Sequence, residues 1–309
     1  MTKVLGRANT KLQLNEWAYQ EFFAGAVIDD DTGQALEYRD LIKKDKYRDT
    51  WSTSLANELG RLAQGIRDVK VSNTIFFILK SETPKDRLKD ITYGRIVVAY
   101  KPHKADPNRS RLTVGGDRIT CLYDVSTPTS DLPTIKMLWN SVLSTPGTKY
   151  FTLDISNFYL GTPMDRPEYM RIPFKIIPQE IIEKYKLNDI EEKGWVYIKI
   201  VKGIYGIPQA GKIDHELLKK RLTKAGYHPT QFTPGLWKHV WIPVTFNLVV
   251  DNFGIKVEGK NHANHLVSTL KKHYDIIADW KGELFILDIN LVRPCYQSLT
   301  MNNLYHYII

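Results

Sequence analysis

The fold follows from the stretch Tyr150-Phe151-Thr152-Leu153-Asp154, an apolar run of strand length that ends in a carboxylate. A second stretch, Phe246-Asn247-Leu248-Val249-Val250-Asp251, repeats the pattern further along the chain. A carboxylate beside apolar side chains is costly to bury unless it meets water, a cation or a metal. Each aspartate is also explained as a turn residue after a strand, where aspartate is common. The pattern alone leaves both interpretations open.

The segments around these two strands alternate between strand and helix patterns. They predict a strand at 149–155, a strand at 195–200, a helix at 209–225, a hairpin around 251–254, a helix at 261–274 and a strand at 283–291. Without the strand at 195–200, this is the βαββαβ order of a ferredoxin-like sheet, in which the first strand and the hairpin are neighbours. We therefore expect an α+β fold in which Asp154 and Asp251 could converge. Their carboxylate oxygens would then bind Mg²⁺.

The chain before residue 149 has its own helix and strand signals. Trp51, Leu55, Leu59 and Leu62 have the spacing of one helical face. The pattern also predicts strands at 75–79, 95–100 and 112–114, a basic loop at 101–111, a helix at 134–143 and an exposed, proline-dotted insertion at 165–195. Aromatic residues near the start indicate an amphipathic helix: Trp17, Tyr19, Phe22 and Phe23.

The composition is that of a folded protein with a basic surface. Of 309 residues, 43% are hydrophobic and 25% charged, which excludes disordered, collagen-like and coiled-coil chains. The net charge of +9 favours polyanionic partners. Two cysteines, Cys121 and Cys295, are too few for a disulfide scaffold or a cysteine-rich metal site, and favour a reducing compartment. No run of about 18 apolar residues and no secretory signal is present, so we expect a soluble intracellular protein without a membrane span.

Two further segments suit contact with phosphates. The Gly/Pro-rich turn at 204–211 opens a predicted helix, and its backbone amides would approach a nucleotide or template strand; a plain loop–helix junction would look similar. The loop at 101–111 contains Lys101, Lys104, Arg109 and Arg111. It is either an ordinary solvated hairpin or a mobile cationic flap that grips phosphates.

Taken together, these motifs resemble the reverse transcriptases of copia-type retrotransposons. The segment TLDISNFYLGTPM at 152–164 resembles the first catalytic motif of that family. KGIYGIPQAG at 202–211 resembles the second, and VVDNFG at 249–254 the third. The fingers segment before them resembles RSRLTVGG at 109–116, and Trp51 with Glu58 and Leu62 is similar to the helix that opens this domain. The order and spacing agree over roughly residues 37–291.

The resemblance implies a right-hand polymerase with a ferredoxin-like palm and a fingers region. The palm would span 149–291, with a fingers insertion at about 165–195, and the fingers region 37–148. Residues 1–36 would be an N-terminal extension or linker, and 292–309 a truncated or divergent tail, so that the thumb is largely absent. The chain would then be a retrotransposon polyprotein fragment, located in the cytoplasm (in a virus-like particle) or the nucleus.

The resemblance also implies a role for each matching residue. Asp154 and Asp251 would be catalytic and would hold two Mg²⁺ ions, with Asn252 beside them. Tyr159 would be the steric gate that favours dNTPs over rNTPs, and Gln209 would lie near the nucleotide sugar. Other residues would bind the triphosphate through side chains (Lys101, Arg111) or backbone amides (Ile155, Ser156, Asn157, Phe158, Tyr159), and the nucleic acid (Arg109, Pro208, Ala210, Gly211). The partners would be an RNA or DNA template with its primer, and dNTPs.

The sequence departs from the family at several positions. Asn252 stands where a second aspartate is expected, which removes a negative charge near the metal ions, and Asp288 replaces a glycine of the primer-grip strand. Lys281 is either a cation that protonates the leaving group or a solvated loop lysine. Three hypotheses therefore remain: a reverse transcriptase of impaired activity, a catalytically inactive module that binds RNA or RNA–DNA duplex, and an unrelated two-carboxylate nuclease. The oligomeric state is open.

Overall fold

The computed structural model describes residues 26–102, 106–121, 124–280, 284–286 and 289–291. The fold is α+β, as expected. The described residues divide into two compact units. The first unit comes from Met1–Asp124 and Tyr159–Ala210, and the second from Val125–Phe158 and Gly211–Ile309.

Helices and strands are interspersed along the described residues. In chain order, the helices are α1 (Tyr38–Leu41), α2 (Asp45–Leu62), α3 (Leu132–Ser144), α4 (Gln179–Lys184), α5 (Ala210–Lys224) and α6 (Lys260–Lys271). The strands are β1 (Ile75–Ile78), β2 (Thr92–Tyr100), β3 (Asn108–Val114), β4 (Thr148–Ile155), β5 (Pro163–Pro173), β6 (Trp195–Lys202), β7 (Tyr227–Pro229), β8 (Leu236–His239), β9 (Val244–Val249), β10 (Asn252–Glu258), β11 (Ile276–Asp279), β12 (Leu284–Ile286) and β13 (Ile289–Leu291).

A five-stranded sheet in the order β1-β6-β5-β2-β3 organises the first unit. The predicted helical face is confirmed, because Trp51, Leu55, Leu59 and Leu62 of α2 are all buried in its core. Glu58 of the same helix is also buried, and its Oε1 accepts a hydrogen bond from the backbone N–H of Leu112 in β3. The helix therefore meets the sheet through both apolar contacts and a polar anchor.

The predicted exposed insertion at 165–195 is wrong. These residues contain β5 and α4 and contribute buried side chains to the first unit, including Met170, Ile172, Ile181 and Leu187. Of the prolines in this range, Pro173 ends β5 and Pro178 caps α4, while Pro167 lies in the irregular part of β5, where its register against β6 shifts. A proline-rich composition marked short elements here, not exposure.

The predicted basic loop is shorter than expected. Arg109 and Arg111 belong to β3, where they pair with Ala99 and Val97 of β2. The connection between β2 and β3 therefore includes Lys101 but neither arginine. Because both arginines are exposed on a regular strand, their positions are defined by the sheet, which a mobile flap would not provide.

A six-stranded antiparallel sheet in the order β11-β4-β10-β9-β8-β7 organises the second unit. Strand β10 lies between β4 and β9, so the first strand and the hairpin are neighbours, as expected. The strand that follows α6 is β11, which pairs with β4. The predicted single strand at 283–291 is wrong, since β12 and β13 pair with each other. Four residues were too few for the sequence pattern to reveal β11.

The two faces of this sheet differ in what covers them. Phe246 and Trp237 face α5 and α6, because Trp237 contacts His215 of α5 and Tyr227 beside it hydrogen-bonds His265 of α6. Successive side chains alternate between faces. Asp154 and Asn252 consequently lie on the face opposite these two helices, part of which is covered by α3.

Within the described residues, no helix has the length and apolar character needed to cross a membrane. Several sequence predictions concern residues outside the described ranges. These are the aromatic residues at 17–23, Lys104, Lys281, Asp288, Cys295 and the segment 292–309.

Candidate functional site

Asp154 and Asp251 come together at one end of the sheet in the second unit. Asp154 of β4 lies directly opposite Asn252, the first residue of β10. Asp251 immediately precedes Asn252, and its backbone carbonyl accepts a hydrogen bond of 3.0 Å from the Ile155 N–H. Asp154, Asp251 and Asn252 are each half-buried. The two aspartates are therefore neighbours, neither sealed in the interior nor on opposite sides of the unit.

The hairpin that presents Asp251 is tighter than the sequence predicts. Val249 pairs with Asn252, so the turn consists of Val250 and Asp251 alone. Val250 has a φ of +58°. This left-handed conformation is unusual for a β-branched residue and costs on the order of 1–3 kcal/mol. Strain of this kind persists where the surrounding structure imposes it, and here the two-residue turn places Asp251 beside the end of β4.

Asn252 contacts the neighbouring carboxylate directly. Its Nδ2 donates a hydrogen bond of 2.9 Å to Oδ1 of Asp251. The amide thereby orients the Asp251 side chain without adding negative charge. An aspartate at this position would be unable to donate that hydrogen bond when ionised.

The donor set at this turn suits a hard cation. Asp154 and Asp251 offer carboxylate oxygens, the ligands that Mg²⁺ prefers, and Mg²⁺ commonly takes one or two carboxylates with substrate phosphates and water. Among the described residues, no group of three or more His, Cys, Asp or Glu side chains is arranged to hold a metal. The residues therefore fit a magnesium site that a phosphate-bearing substrate completes, and do not fit a site built from protein ligands alone.

The segment after Asp154 is closely tied to the same sheet edge. The N–H of Ser156 donates to the Asp275 carbonyl at 2.9 Å, so the amides of Ile155 and Ser156 both bond to protein carbonyls. Asn157 is exposed with a φ of +55°, and Phe158 is buried with its ring 6.1 Å from the Tyr274 ring. These bonds fix the backbone that directly follows Asp154.

Two predicted nucleotide-binding residues meet at one aromatic ring in the first unit. The guanidinium carbon of Arg111 lies 4.7 Å from the centroid of the Tyr205 ring. The ring of Tyr159 meets the same Tyr205 ring edge-on, with 5.3 Å between centroids. Tyr205 belongs to the second motif, but no local pattern indicated this role. The Arg111–Tyr205–Tyr159 cluster orients an exposed cation and a half-buried phenol relative to each other.

Backbone contacts join the fingers segment to the second motif within this unit. The N–H of Val114 donates to the Tyr205 carbonyl at 2.8 Å. Gly206 has a φ of +95°, and a Cβ there would lie 2.0 Å from the Val114 carbonyl oxygen. A Cβ on Gly116 would lie 2.1 Å from the Gly206 carbonyl oxygen. Both glycines are required by close backbone approach, which explains the glycines in these two motifs.

Gln209 is buried and bonded at both ends of its amide. Its Nε2 donates to Oε1 of Glu168 at 3.1 Å, and its Oε1 lies 3.8 Å from the Cys121 thiol. Glu168 is itself buried and accepts hydrogen bonds from Arg87 at 2.6 Å and Arg166 at 3.3 Å. Sequence reasoning missed Glu168 and Arg87, since a charged pair far apart along the chain leaves no local pattern.

The remaining predicted contact residues are distributed over the surface and the helix start. Lys101 and Arg109 are exposed, and Nε of Arg109 donates to the Asp106 carbonyl at 3.3 Å. Pro208 is half-buried, and Ala210 and Gly211 form the start of α5. The turn at 204–211 thus opens a helix, as predicted.

The predicted residues form one set in each unit. Asp154, Asp251 and Asn252 meet in the second unit, and Arg111, Tyr159 and Gln209 belong to the first. No protein-family model matches the chain, and a search of the curated proteins finds no match. Any function assigned to the chain depends on its own motifs and geometry.

Proposed function

We propose that the chain is an RNA-directed DNA polymerase domain of the retrotransposon reverse transcriptase kind. It would add a deoxynucleotide from a dNTP to the 3′-hydroxyl of a primer on an RNA or DNA template. The main support is the pairing of Asp154 with Asn252 and the hydrogen bond from Ile155 to Asp251. These contacts bring the first-motif and third-motif aspartates to one strand end, as the chemistry requires.

The topology of the second unit supports its assignment as the palm. The sheet order β11-β4-β10-β9, with β10 between β4 and β9, is that of a ferredoxin-like split βαβ arrangement. In chain order β4 precedes α5, the β9–β10 hairpin, α6 and β11. We assign the first unit, which contains the fingers segment at 109–116, as the fingers.

Asp154 and Asp251 would hold the divalent ions in this proposal. Two Mg²⁺ ions bound there would lower the pKa of the primer 3′-hydroxyl and neutralise the departing pyrophosphate. Asn252 holds the Asp251 carboxylate in position through its 2.9 Å hydrogen bond. The bonds of Ile155 and Ser156 keep β4 in register with the turn, so that Asp154 remains beside Asp251.

The Arg111–Tyr205–Tyr159 cluster would serve the incoming nucleotide. Arg111, with Lys101, would bind the triphosphate, and the Tyr205 ring limits the orientations of the guanidinium. Tyr159 would pack under the sugar and exclude a 2′-hydroxyl, with Tyr205 buttressing its ring. The segment 155–159 would line the triphosphate.

Glu168 would act as a positioning residue for the second motif. Its buried carboxylate holds the Gln209 amide, so that the turn at 204–211 keeps one conformation. Pro208, Ala210, Gly211 and Arg109 would contact the template strand. Gln209 would influence the nucleotide through the turn that it anchors.

A second candidate function is binding of RNA or RNA–DNA duplex without catalysis. Asn252 favours it, because its Nδ2 occupies one Asp251 oxygen and no carboxylate replaces the missing charge. Fewer negative ligands weaken metal binding. The retained Asp154 and Asp251 favour the polymerase.

Primer extension on an RNA template with Mg²⁺ and dNTPs tests the proposal. The full chain is compared with Asp154→Asn, which keeps the side-chain shape but removes the charge, and with Asn252→Asp. Asp189→Asn is the matched control, since Asp189 is exposed and belongs to the other unit. Thermal unfolding of each variant reports whether it folds.

If the chain is a polymerase, it should extend the primer. Asp154→Asn should abolish this extension, and Asp189→Asn should leave it unchanged. Asn252→Asp should raise the rate by about tenfold or more, since it restores a charged ligand. If the native chain and Asn252→Asp both bind nucleic acid in a salt-dependent way and neither extends a primer, the chain is a binding module and not a polymerase. Strand cleavage would indicate a nuclease.

A further inference from the structure

Basic side chains line a groove between α5 and α6 in the second unit. The groove has a volume of about 410 Å³. Its basic residues, which we call the groove cations, are Lys220, Arg221, Lys224, His265, Lys272 and His273. Lys220, Arg221 and Lys224 lie in the last two turns of α5, where Lys220 and Lys224 share one face; His265 lies on α6, and Lys272 and His273 follow its last residue. No aspartate or glutamate is among the described residues that line it.

The groove concentrates positive charge on three lysines and one arginine. Among the ion pairs between described residues, none involves Lys220, Arg221, Lys224 or Lys272. Arg221 is also held in place, since its guanidinium carbon lies 4.7 Å from the centroid of the Tyr274 ring. A stacked guanidinium loses less conformational freedom when it binds an anion.

The positive potential in the groove affects its own histidine. Desolvation lowers the pKa of His273, and the charges of Arg221, Lys272 and Lys224 lower it further. Cations at the C-terminal ends of helices also interact favourably with the helix dipole, which accounts for Lys224 and Lys272 individually. The helix dipole does not explain why Lys224 and Lys272 share one concave surface with Lys220 and Arg221.

The groove is separate from the candidate catalytic residues of the same unit. The helices α5 and α6 cover the face of the sheet to which Phe246 and Trp237 point. Asp154 and Asn252 lie on the opposite face, because side chains alternate along a strand. An anion bound between the helices would not contact the two aspartates.

We propose that this groove binds the phosphate backbone of a single nucleic-acid strand. Lys220 and Lys224 lie one helical turn apart, about 6 Å along the axis, so they suit a chain of repeated anions more than an isolated one. A concave channel between two helices admits one strand more readily than a duplex. A lipid surface is disfavoured, since none of the exposed large apolar side chains of the described residues lines the groove.

This second binding surface goes beyond the proposed polymerase activity and does not depend on it. It would hold a strand away from the candidate catalytic residues, in the absence of Mg²⁺ and dNTPs. A chain that extends no primer would still bind through the groove, so the two proposals fail independently.

Fluorescence anisotropy of a fluorescein-labelled oligouridine with the full chain tests the groove, without Mg²⁺ or dNTPs. The titration is repeated between about 50 and 200 mM salt, because the salt slope counts phosphate contacts. The groove variant is Lys220→Gln/Lys224→Gln/Lys272→Gln. The matched control is Lys136→Gln/Lys149→Gln/Lys260→Gln, which removes the same charge from exposed lysines of the same unit that do not line the groove.

The groove variant should lose about tenfold or more in affinity, and the magnitude of its salt slope should fall by about 2, since each single-strand phosphate contributes about 0.7. The control should keep the native slope. If circular dichroism shows that the groove variant is unfolded, the exposed Lys220→Gln replaces it, with an expected decrease of about 0.7.

Equal losses in the groove variant and the control would overturn the proposal, because net charge alone would then explain binding. Competition by polyglutamate as strong as that by unlabelled oligouridine would overturn the preference for nucleic acid. If the groove variant no longer binds phosphatidylserine vesicles but binds oligouridine as the native chain does, the groove is a lipid site instead.

Discussion

Asp154 and Asn252 lie directly opposite each other in the antiparallel pairing of β4 and β10. Directly opposed side chains on one face of a sheet have Cβ atoms about 4.5–5.5 Å apart, where like charges are destabilising. The amide at position 252 therefore avoids repulsion with Asp154 and donates to Asp251. The Asn252 amide therefore stabilises the hairpin when no cation is bound, but it would offer a metal ion one negatively charged ligand fewer than an aspartate.

Asn252→Asp should accordingly reverse the balance between stability and metal binding. In EDTA the variant should be less stable than the native chain by about 0.2–1 kcal/mol, because three carboxylates then share the turn. In Mg²⁺ it should regain that stability, since a bound cation stabilises the folded state. Thermal unfolding with and without Mg²⁺ measures both. An Asn252→Asp unfolding temperature that is the same with and without Mg²⁺ would contradict this account.

Gly206→Ala should destabilise the first unit. The φ of +95° and the Val114 carbonyl oxygen 2.0 Å from the added Cβ leave no room for a side chain. The left-handed conformation alone costs on the order of 1–3 kcal/mol for a residue other than glycine. Gly161→Ala is the control, since a Cβ there meets nothing within 4 Å. Equal denaturant midpoints for the two variants would show that the contact between the fingers segment and the second motif is absent.

Glu168→Gln should cost about 1–3 kcal/mol, because the largely buried Arg87 guanidinium loses one of its two carboxylate partners and keeps only Asp90. The comparison is Glu180→Gln, which breaks an exposed pair with Arg67 at 3.0 Å and should cost at most about 1 kcal/mol. Urea unfolding gives both values. A cost for Glu168→Gln no larger than that for Glu180→Gln would rule out a positioning role for the carboxylate.

Oligouridine binding should strengthen as the pH falls from about 7.5 to about 5.5. The pKa of His273 is lowered in the free protein by desolvation and by the charges of Arg221, Lys272 and Lys224. The unfolded chain therefore binds the proton more readily, and His273 reduces the stability of the free protein as the pH falls through the ordinary histidine value. A phosphate in the groove would raise that pKa, so protonation and binding favour each other.

The anisotropy titration at each pH measures this coupling. His273→Gln should remove that part of the pH dependence which belongs to this side chain, while leaving binding at pH 7.5 nearly unchanged. A pH dependence identical in the native chain and in His273→Gln would show that no phosphate approaches His273.

The central sheet of the second unit was predictable because its strands are apolar runs with distinct ends. The strands around Asp154 and Asp251 have that form, and their adjacency followed from the order of helices and strands. The strand β11 was missed because four residues, Ile276–Asp279, provide too short a pattern.

The buried polar contacts were beyond prediction from local patterns. Glu168 meets Arg87 and Gln209 only because β5 folds into the sheet of the first unit, and its charge suggested an exposed position. The same reasoning made 165–195 look like a surface insertion. The basic residues of α5 in the groove are close together in the sequence, but only the fold brings them beside His265, Lys272 and His273.

Divalent-ion binding tests most directly whether Asp154 and Asp251 form one metal site. Electron paramagnetic resonance of Mn²⁺, used in place of Mg²⁺, is measured with a dNTP present. Compared with the native chain, Asp154→Asn and Asp251→Asn should each weaken binding by about tenfold or more, and Asn252→Asp should strengthen it. Mn²⁺ affinity that is the same in Asp154→Asn, Asp251→Asn and the native chain would contradict the account.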